Sequence, residues 1–334
     1  MISEITTTNV IPESPERSRL FCHIEKVTID TFFSLVDYRN NLFTSGDPNK
    51  ITEFYNSFEN RDHLIQWMKE RPKGVANILE VNGNTDIIVV IPTTNFNGKY
   101  AIECRENIFK GLHIIFVESG GSGDFYFNFA HNVNVGIKKA IEYNPDWIVY
   151  SNDDIEKMSS PSILVSELKR YNDSNKNLIL VKNRHVSPKC YVSVRSKRTS
   201  FFDIYMNWKW SNYFRGVKIL NKFGVHYYFI CGTPSLFYSH KSKFINTGSF
   251  CCYKGSFCKL RNGKIYDESI INSTEDLKLG MLLTAKTKEY SFLRKYNIKN
   301  LGGRALGSGQ VRWIRGLSGQ IYLDFQLRSN LLNS

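Results

Sequence analysis

Three short apolar runs, each followed by polar or glycine-rich residues, dominate the first half of the chain. They cover residues 87–91, 113–117 and 147–150. Continuous apolar runs of this length are typical of strands buried on both faces, as in a parallel sheet. Helical stretches between the runs would make them βαβ units, whose ligands bind at the carboxyl ends of the strands. The polar residues that follow each run are therefore the first candidates for a site.

The clearest helix is predicted between the second and third runs. Apolar residues recur there at the four-residue spacing of an amphipathic helix. The helix is predicted to start near Phe125, with Ser122 or Asp124 as its cap, and to end at Asn144. Its apolar face consists of Phe129, Val133, Ile137, Ala140 and Ile141.

The rest of the pattern divides the chain into four parts. Residues 1–80 are predicted to be a helical N-terminal extension, because apolar residues recur at helical spacings up to Arg71-Pro72. Residues 81–182 hold the βαβ units, and 183–300 form a looser second half. Residues 301–334 are predicted to be a glycine-rich basic loop and a tail. Further elements in the second half are predicted at 225–230, at 249–253 and from Ser273 onwards.

The composition excludes several classes of protein. With 42% hydrophobic and 14% aromatic residues in 334, the chain can bury a large core and is not of the disordered type. No apolar run approaches the roughly 18 residues that span a bilayer, and the N-terminus lacks a secretory pattern. The seven cysteines are scattered without a CxxC pair, which favours buried thiols in a reducing compartment. A cytoplasmic location is predicted.

The charge indicates an anionic partner. A net charge of +13 suits nucleotide phosphates, nucleic acid, an anionic lipid surface or an acidic glycan, and does not choose among them. The stretch from Arg195 to Lys218 interleaves basic and aromatic residues. Such a stretch can stack on nucleic acid or on sugar rings, or lie on anionic lipid, and it is equally typical of an ordinary surface.

The third apolar run ends in two adjacent aspartates, Asp153 and Asp154. Neighbouring carboxylates repel each other unless a cation lies between them and a ligand. Mg²⁺ and Mn²⁺ bind through one or two carboxylates together with substrate phosphates, as a nucleotide diphosphate would supply. The alternative interpretation is a turn with solvated acids.

Two other acidic positions have both a structural and a functional interpretation. Glu118 ends the second run, at the position where dinucleotide-binding folds have an acid that contacts the ribose. In those folds the glycine-rich loop precedes the acid, whereas here it follows Glu118, so the GxGxxG arrangement is absent. Glu275 and Asp276 begin an amphipathic segment. Acids in a first turn complement the helix dipole, and the functional alternative is a general base for an acceptor hydroxyl.

Taken together and in this order, the pieces resemble a family 2 glycosyltransferase of the GT-A fold. The resemblance implies an α/β fold, a GT-A-type Rossmann-like mixed sheet flanked by helices, over roughly residues 86–285. Residues 81–182 would then be the nucleotide-sugar-binding half, and 183–300 the acceptor-binding half with the catalytic base. The matching stretches are VVIPTTN from Val89, VESGGSGD from Val117, NVNVGIKKA from Asn132, WIVYSNDDI from Trp147, YDES from Tyr266 and TEDLKL from Thr274.

The resemblance also implies roles for individual residues. Pro92 and Thr93 would line the pocket for the base and ribose, with Glu118 on the base and Asp153 on the ribose. Asp154 would bind the divalent metal that bridges the diphosphate. The general base of an inverting attack would be Asp276, supported by Glu275. Thr94 stands where the family often has an aromatic residue, so base stacking is expected from elsewhere.

The predicted function is therefore a metal-dependent glycosyltransferase that uses Mg²⁺ or Mn²⁺ and a nucleotide-sugar donor, a UDP-sugar first. The acceptor would be a glycan, a lipid-linked molecule or a protein, with peripheral contact to an anionic membrane left open and nucleic acid disfavoured. The segment from Arg304 to Arg312 is hypothesised to close over the diphosphate. The alternatives are a nucleotidyltransferase, and a non-catalytic protein that binds nucleic acid or an anionic membrane surface.

Overall fold

The structure is a computed structural model, and it describes most of the chain. It describes residues 37–120, 126–181, 190–195, 226–230, 238–244, 249–271, 275–276, 278–280, 289–301 and 309–328. Most of the basic-aromatic stretch and the segment 302–308 lie outside these ranges, as does the predicted helix start at Ser273. The hypotheses about Arg304 and about that helix start therefore stay predictions.

The strands form one large sheet and two small ones. Their bounds are β1 Asn77–Val81, β2 Asn84–Thr93, β3 Leu112–Glu118, β4 Trp147–Ser151, β5 Ile155–Lys157, β6 Leu178–Leu180, β7 Cys190–Arg195, β8 His226–Ile230, β9 Tyr238–Phe244, β10 Phe250–Lys254, β11 Tyr290–Phe292 and β12 Ile298–Asn300. The large sheet has seven strands in the order β1-β3-β2-β4-β10-β6-β11. β5 pairs with β12, while β7 lies between β8 and β9.

The three apolar runs of the sequence are neighbouring strands at the centre of the large sheet. β2 pairs in parallel with β3 on one side and with β4 on the other, as predicted. β1 and β10 run antiparallel to their neighbours, so the sheet is mixed. Because the parallel strands share a direction, their carboxyl ends meet at one edge, where Thr93 pairs with Glu118 in the register.

The helices cover both faces of the sheet. Their bounds are α1 Pro48–Asn56, α2 Arg61–Glu70, α3 Lys99–Glu103, α4 Phe129–Ala140, α5 Pro161–Lys169, α6 Gly255–Leu260 and α7 Gly309–Arg328, and residues 37–44 are helical as well. The cap of α4 differs from the prediction. Asn128 accepts a hydrogen bond from the backbone N–H of His131, so the helix starts four residues after Phe125.

Alternate residues of the central strands serve two different cores. Ile87 and Val89 belong to the core on one face of the sheet, whereas Ile88 and Val90 belong to the core under α4. The contact with α4 is close because Gly136 has no side chain. A Cβ atom at this position would lie 2.4 Å from Cγ1 of Val90, well inside van der Waals contact.

A third core joins the two ends of the chain. The N-terminal helices pack against α7, which the sequence analysis assigned to a tail. Buried Tyr55 donates to the carbonyl of Ile314 at 2.6 Å and accepts from the N–H of Ser318 at 3.0 Å. The described helices before β1 thus form a layer with α7, and the assignment of residues 1–80 to a separate extension stays a prediction. Within the described ranges, no helix is long and apolar enough to cross a membrane.

Candidate active site

The carboxyl edge of the parallel strands carries most of the predicted site residues. Pro92 and Thr93 end β2, and Glu118 ends β3. Asp153 and Asp154 follow the end of β4. The fold brings these residues to one edge because β2 is parallel to both of its neighbours. This is the edge at which open α/β sheets bind their ligands.

Asp153 is fixed by a direct bond to the neighbouring strand. The hydroxyl of Thr93 donates to Oδ2 of Asp153 at 2.8 Å. Burial raises the pKa of Asp153, and the hydrogen bond from Thr93 acts in the opposite direction. Thr93 and Asp153, which were both predicted to lie at the ribose, are therefore in contact although they are sixty positions apart in the sequence.

Asp154 is almost fully buried, with 9% of its surface exposed. Its Oδ1 atom is buried and has no hydrogen-bond partner. Burial raises the pKa of Asp154, and the negative charge of Asp153 raises it further. A carboxylate in this situation gains from a cation or a proton at the unpartnered oxygen. Its backbone carbonyl accepts from the N–H of Leu301 at 2.9 Å, which brings the end of β12 beside it.

The acids of the second half of the chain act electrostatically on Tyr150 of β4. The hydroxyl of Tyr150 on β4 donates to the side-chain oxygen of Asn152. Burial raises the pKa of this tyrosine above its ordinary value. The charges that raise it further are those of Cys251, Glu275, Asp276 and Asp154. Asp154, the predicted metal ligand, and the two acids Glu275 and Asp276 therefore all act electrostatically on the hydroxyl of Tyr150.

Glu275 has an unpartnered oxygen of its own. The side chain is partly exposed, but its Oε2 atom is buried without a hydrogen-bond partner. Burial, and then the charge of the adjacent Asp276, raises the pKa of Glu275 to about 8. Two adjacent carboxylates that cannot both ionise easily hold a proton between them near neutral pH. Such a pair is suited to proton transfer.

Glu118 holds the loop that follows β2. Its Oε2 atom accepts from the backbone N–H of Phe96 at 2.7 Å. The Phe96 ring packs edge-on against Phe116, and the guanidinium of Arg105 lies 4.6 Å from its centroid. The sequence analysis missed both Phe96 and Arg105. The available signal was an aromatic residue three positions after Thr93, next to the predicted base pocket.

A return segment, residues 264–271, brings the chain back to this edge along α4. Oδ1 of Asn134 accepts from the N–H groups of Ile265 and Tyr266 at 3.0 and 2.9 Å. One turn earlier on the helix, Nδ1 of His131 lies 3.0 Å from Oε2 of Glu268. The stretch YDES is thus bonded to the helix that contains NVNVGIKKA.

One of these residues has an oxygen that could take a metal ion. Within the described ranges, no three His, Cys, Asp or Glu side chains are grouped to hold a metal ion. The unpartnered Oδ1 of Asp154 fits one position of a hard cation, which prefers oxygen ligands. Mg²⁺ commonly binds through one or two carboxylates and takes its remaining ligands from phosphates and water. The donor set fits a metal that arrives with a diphosphate.

Comparisons with known proteins give a distant likeness in structure. No protein-family model and no curated protein matches the chain. A similar solved structure is glucosyl-3-phosphoglycerate synthase from Mycobacterium tuberculosis, in complex with Mn²⁺, UDP-glucose and phosphoglyceric acid. The identity is 9% and the TM-score 0.33, over 73% of this chain and 79% of that one. The predicted α/β class, a mixed sheet flanked by helices, is confirmed by the strand order and by the helices packed on the sheet.

Proposed function

We propose that this chain is a glycosyltransferase that moves a sugar from a nucleotide-diphosphate sugar to an acceptor hydroxyl with inversion. One observation carries the proposal: the buried Oδ1 of Asp154 and the buried Oε2 of Glu275 have no hydrogen-bond partner, and the charges of both acids raise the pKa of Tyr150 on β4. Burying such oxygens is costly unless a ligand, a cation or a proton satisfies them. A metal-bound diphosphate beside one acid and an acceptor hydroxyl beside the other would satisfy both.

The first half of the chain would bind the donor. Pro92 and Thr93 would line the base and ribose pocket, with Glu118 directed to the base. Asp153, held by Thr93, would accept from a ribose hydroxyl. The bond between Glu118 and the Phe96 N–H supports this arrangement, because it fixes the loop that would border the base. A UDP-sugar is the proposed donor.

Asp154 would hold the divalent metal, Mg²⁺ or Mn²⁺, through the oxygen that has no other partner. When bound, such a cation neutralises the charge that develops on a departing diphosphate. Two features support this role: Asp154 follows a buried strand, and its carbonyl accepts a hydrogen bond from the N–H of Leu301. That bond fixes the backbone at the carboxylate, which reduces the reorganisation needed on binding.

The acid pair would accept the proton of the acceptor. As the acceptor oxygen bonds to the anomeric carbon, the bond from that carbon to the diphosphate oxygen breaks. The hydroxyl proton passes to Asp276, and the nucleoside diphosphate leaves with the bonding electrons. Glu275 would support Asp276 by sharing the proton of the pair. The elevated pKa of Glu275, about 8, favours this proton-holding role near neutral pH.

The acceptor is proposed as a class: a hydroxyl of a glycan, a lipid-linked molecule or a protein. The net charge of +13 favours an anionic donor and an anionic or neutral acceptor.

Calorimetric titration with UDP, GDP and dTDP, each with and without Mn²⁺, tests the proposal. The wild type should bind one nucleotide in a metal-dependent manner, and Asp154→Ala should lose that binding. Asp62→Ala is a matched control, because it removes an aspartate that is 74% exposed on α2. Failure of the wild type to bind any nucleotide would contradict the proposal. Salt-dependent binding of nucleic acid that survives Asp154→Ala would instead support the binding-protein alternative.

A further inference from the structure

The carboxylate of Asp267, in the return segment, accepts hydrogen bonds from three parts of the chain. Its Oδ1 atom accepts from the N–H of Ser269 at 3.0 Å, within the segment. Its Oδ2 atom accepts from three side chains. They are the ammonium of Lys278, the hydroxyl of Tyr322 at 3.3 Å and the amide of Gln326 at 3.1 Å.

These three donors connect two other elements to the return segment. Lys278 is helical and follows the helical residues Glu275 and Asp276 by three and two positions. Tyr322 and Gln326 belong to α7, four residues apart and hence on one face of that helix. A single carboxylate oxygen thus joins the return segment, the acid-bearing turn and the C-terminal helix.

The ion pair constrains how the acid-bearing turn is rotated. Lys278 is three residues after Glu275, so a constraint on Lys278 acts close to both acids along the chain. The next residue, Leu279, is 2% exposed and packs in the core under α4. With Leu279 in the core and Lys278 on Asp267, the turn is held at two adjacent positions. The direction of the two acids follows from these contacts.

The Asp267 carboxylate is ionised in this arrangement. Burial acts to raise its pKa, but the charge and hydrogen bond of Lys278 lower it below its ordinary value. The pair is largely shielded, since 18% of the Lys278 side chain and 19% of the Asp267 side chain are exposed. Removing one partner leaves a charge that is poorly solvated, which makes the geometry of the pair costly to disturb.

We propose that the Asp267–Lys278 ion pair, bonded to Tyr322 and Gln326 of α7, is a positioning device that sets the placement of the Glu275–Asp276 pair. The proposal rests on the proposed function, because positioning matters only if this acid pair performs the proton transfer. It also gives the helical layer a role in positioning. Tyr55 bonds α7 to the N-terminal helices, and α7 in turn bonds Asp267, whose partner Lys278 lies beside the acids in the sequence.

The test separates placement from donor binding. Lys278→Met should lower kcat for release of nucleoside diphosphate from the nucleotide sugar by about tenfold or more, because small misplacement of a catalytic group is costly. The Kd of the nucleotide should change by less than about twofold, since the donor half is untouched. Lys278→Arg, which keeps the charge, should restore most of kcat. Lys139→Met, which removes a lysine of another ion pair on α4, should leave both values unchanged.

Tyr322→Phe provides a second variant if Lys278→Met does not fold. It removes one hydroxyl from Oδ2 of Asp267 and should lower kcat by about two- to fivefold at constant nucleotide Kd. A variant set in which melting temperatures fall while kcat stays constant would overturn the positioning role and leave the proposed function intact. A wild type that neither binds nor cleaves a nucleotide sugar would refute the proposed function, and the positioning role with it.

Discussion

Replacing Glu275 by glutamine should stabilise the protein at high pH and have little effect at low pH. The pKa of Glu275 is raised from its ordinary 4.5 to about 8 by burial and by the charge of Asp276. The folded chain therefore binds a proton that the unfolded chain releases. The associated stability is fully present below about pH 4.5 and is lost as the pH rises towards 8. Glutamine mimics the protonated acid and removes this dependence.

The size of the effect follows from the shift. One pKa unit corresponds to about 1.4 kcal/mol. The rise in the pKa of Glu275 from 4.5 to about 8 therefore lowers the free energy of unfolding above pH 8 by at most roughly 5 kcal/mol. Glu275 is partly exposed, so solvent reduces the part of this cost that the substitution can recover. We expect Glu275→Gln to raise the free energy of unfolding by about 2 kcal/mol at pH 8. At pH 4 the expected change is below about 0.5 kcal/mol.

Urea unfolding at a series of pH values measures this difference. Glu59→Gln is the control, because its carboxylate is 85% exposed and the substitution should change stability by less than about 0.5 kcal/mol at either pH. A Glu275→Gln effect that is the same at pH 4 and pH 8 would refute the argument, since it would show that no proton is linked to this site. Loss of transferase activity in the stabilised variant would in turn support the proposed role of the acid pair.

Three further substitutions test the framework of the site. Gly136→Ala should destabilise the protein by about 1–3 kcal/mol in urea unfolding, because the new Cβ would meet Val90 at 2.4 Å; an unchanged midpoint would contradict the close packing. Asn134→Ala should lower the free energy of unfolding by about 2–4 kcal/mol, because it leaves two backbone N–H groups of the return segment unpaired. Asn97→Ala, at an exposed position, is its control. Thr93→Val should weaken nucleotide binding about fivefold in calorimetry by releasing Asp153, and an unchanged Kd would argue against a donor role for this contact.

The sequence alone determined the centre of the fold. Continuous apolar runs and a four-residue apolar repeat are local signals, and they correctly predicted β2, β3, β4 and the body of α4. Since parallel neighbours share a direction, the same signals placed Thr93, Glu118 and Asp153 at one edge. The prediction of the α4 start was four residues too early, because Asn128 competes with Ser122 and Asp124 for the same capping role.

The tertiary structure decided what depends on residues far apart in the chain. The helix α7 was missed because its glycines disfavour a helix locally, whereas burial of Ile314, Leu317 and Ile321 against the N-terminal helices stabilises it. The unpartnered oxygens of Asp154 and Glu275 are likewise invisible in the sequence. Exposure and hydrogen-bond partners depend on the packing of the whole chain, and no local spacing encodes them. The sequence therefore indicated the acids, and only the fold shows that an oxygen of Asp154 and one of Glu275 are buried without a partner.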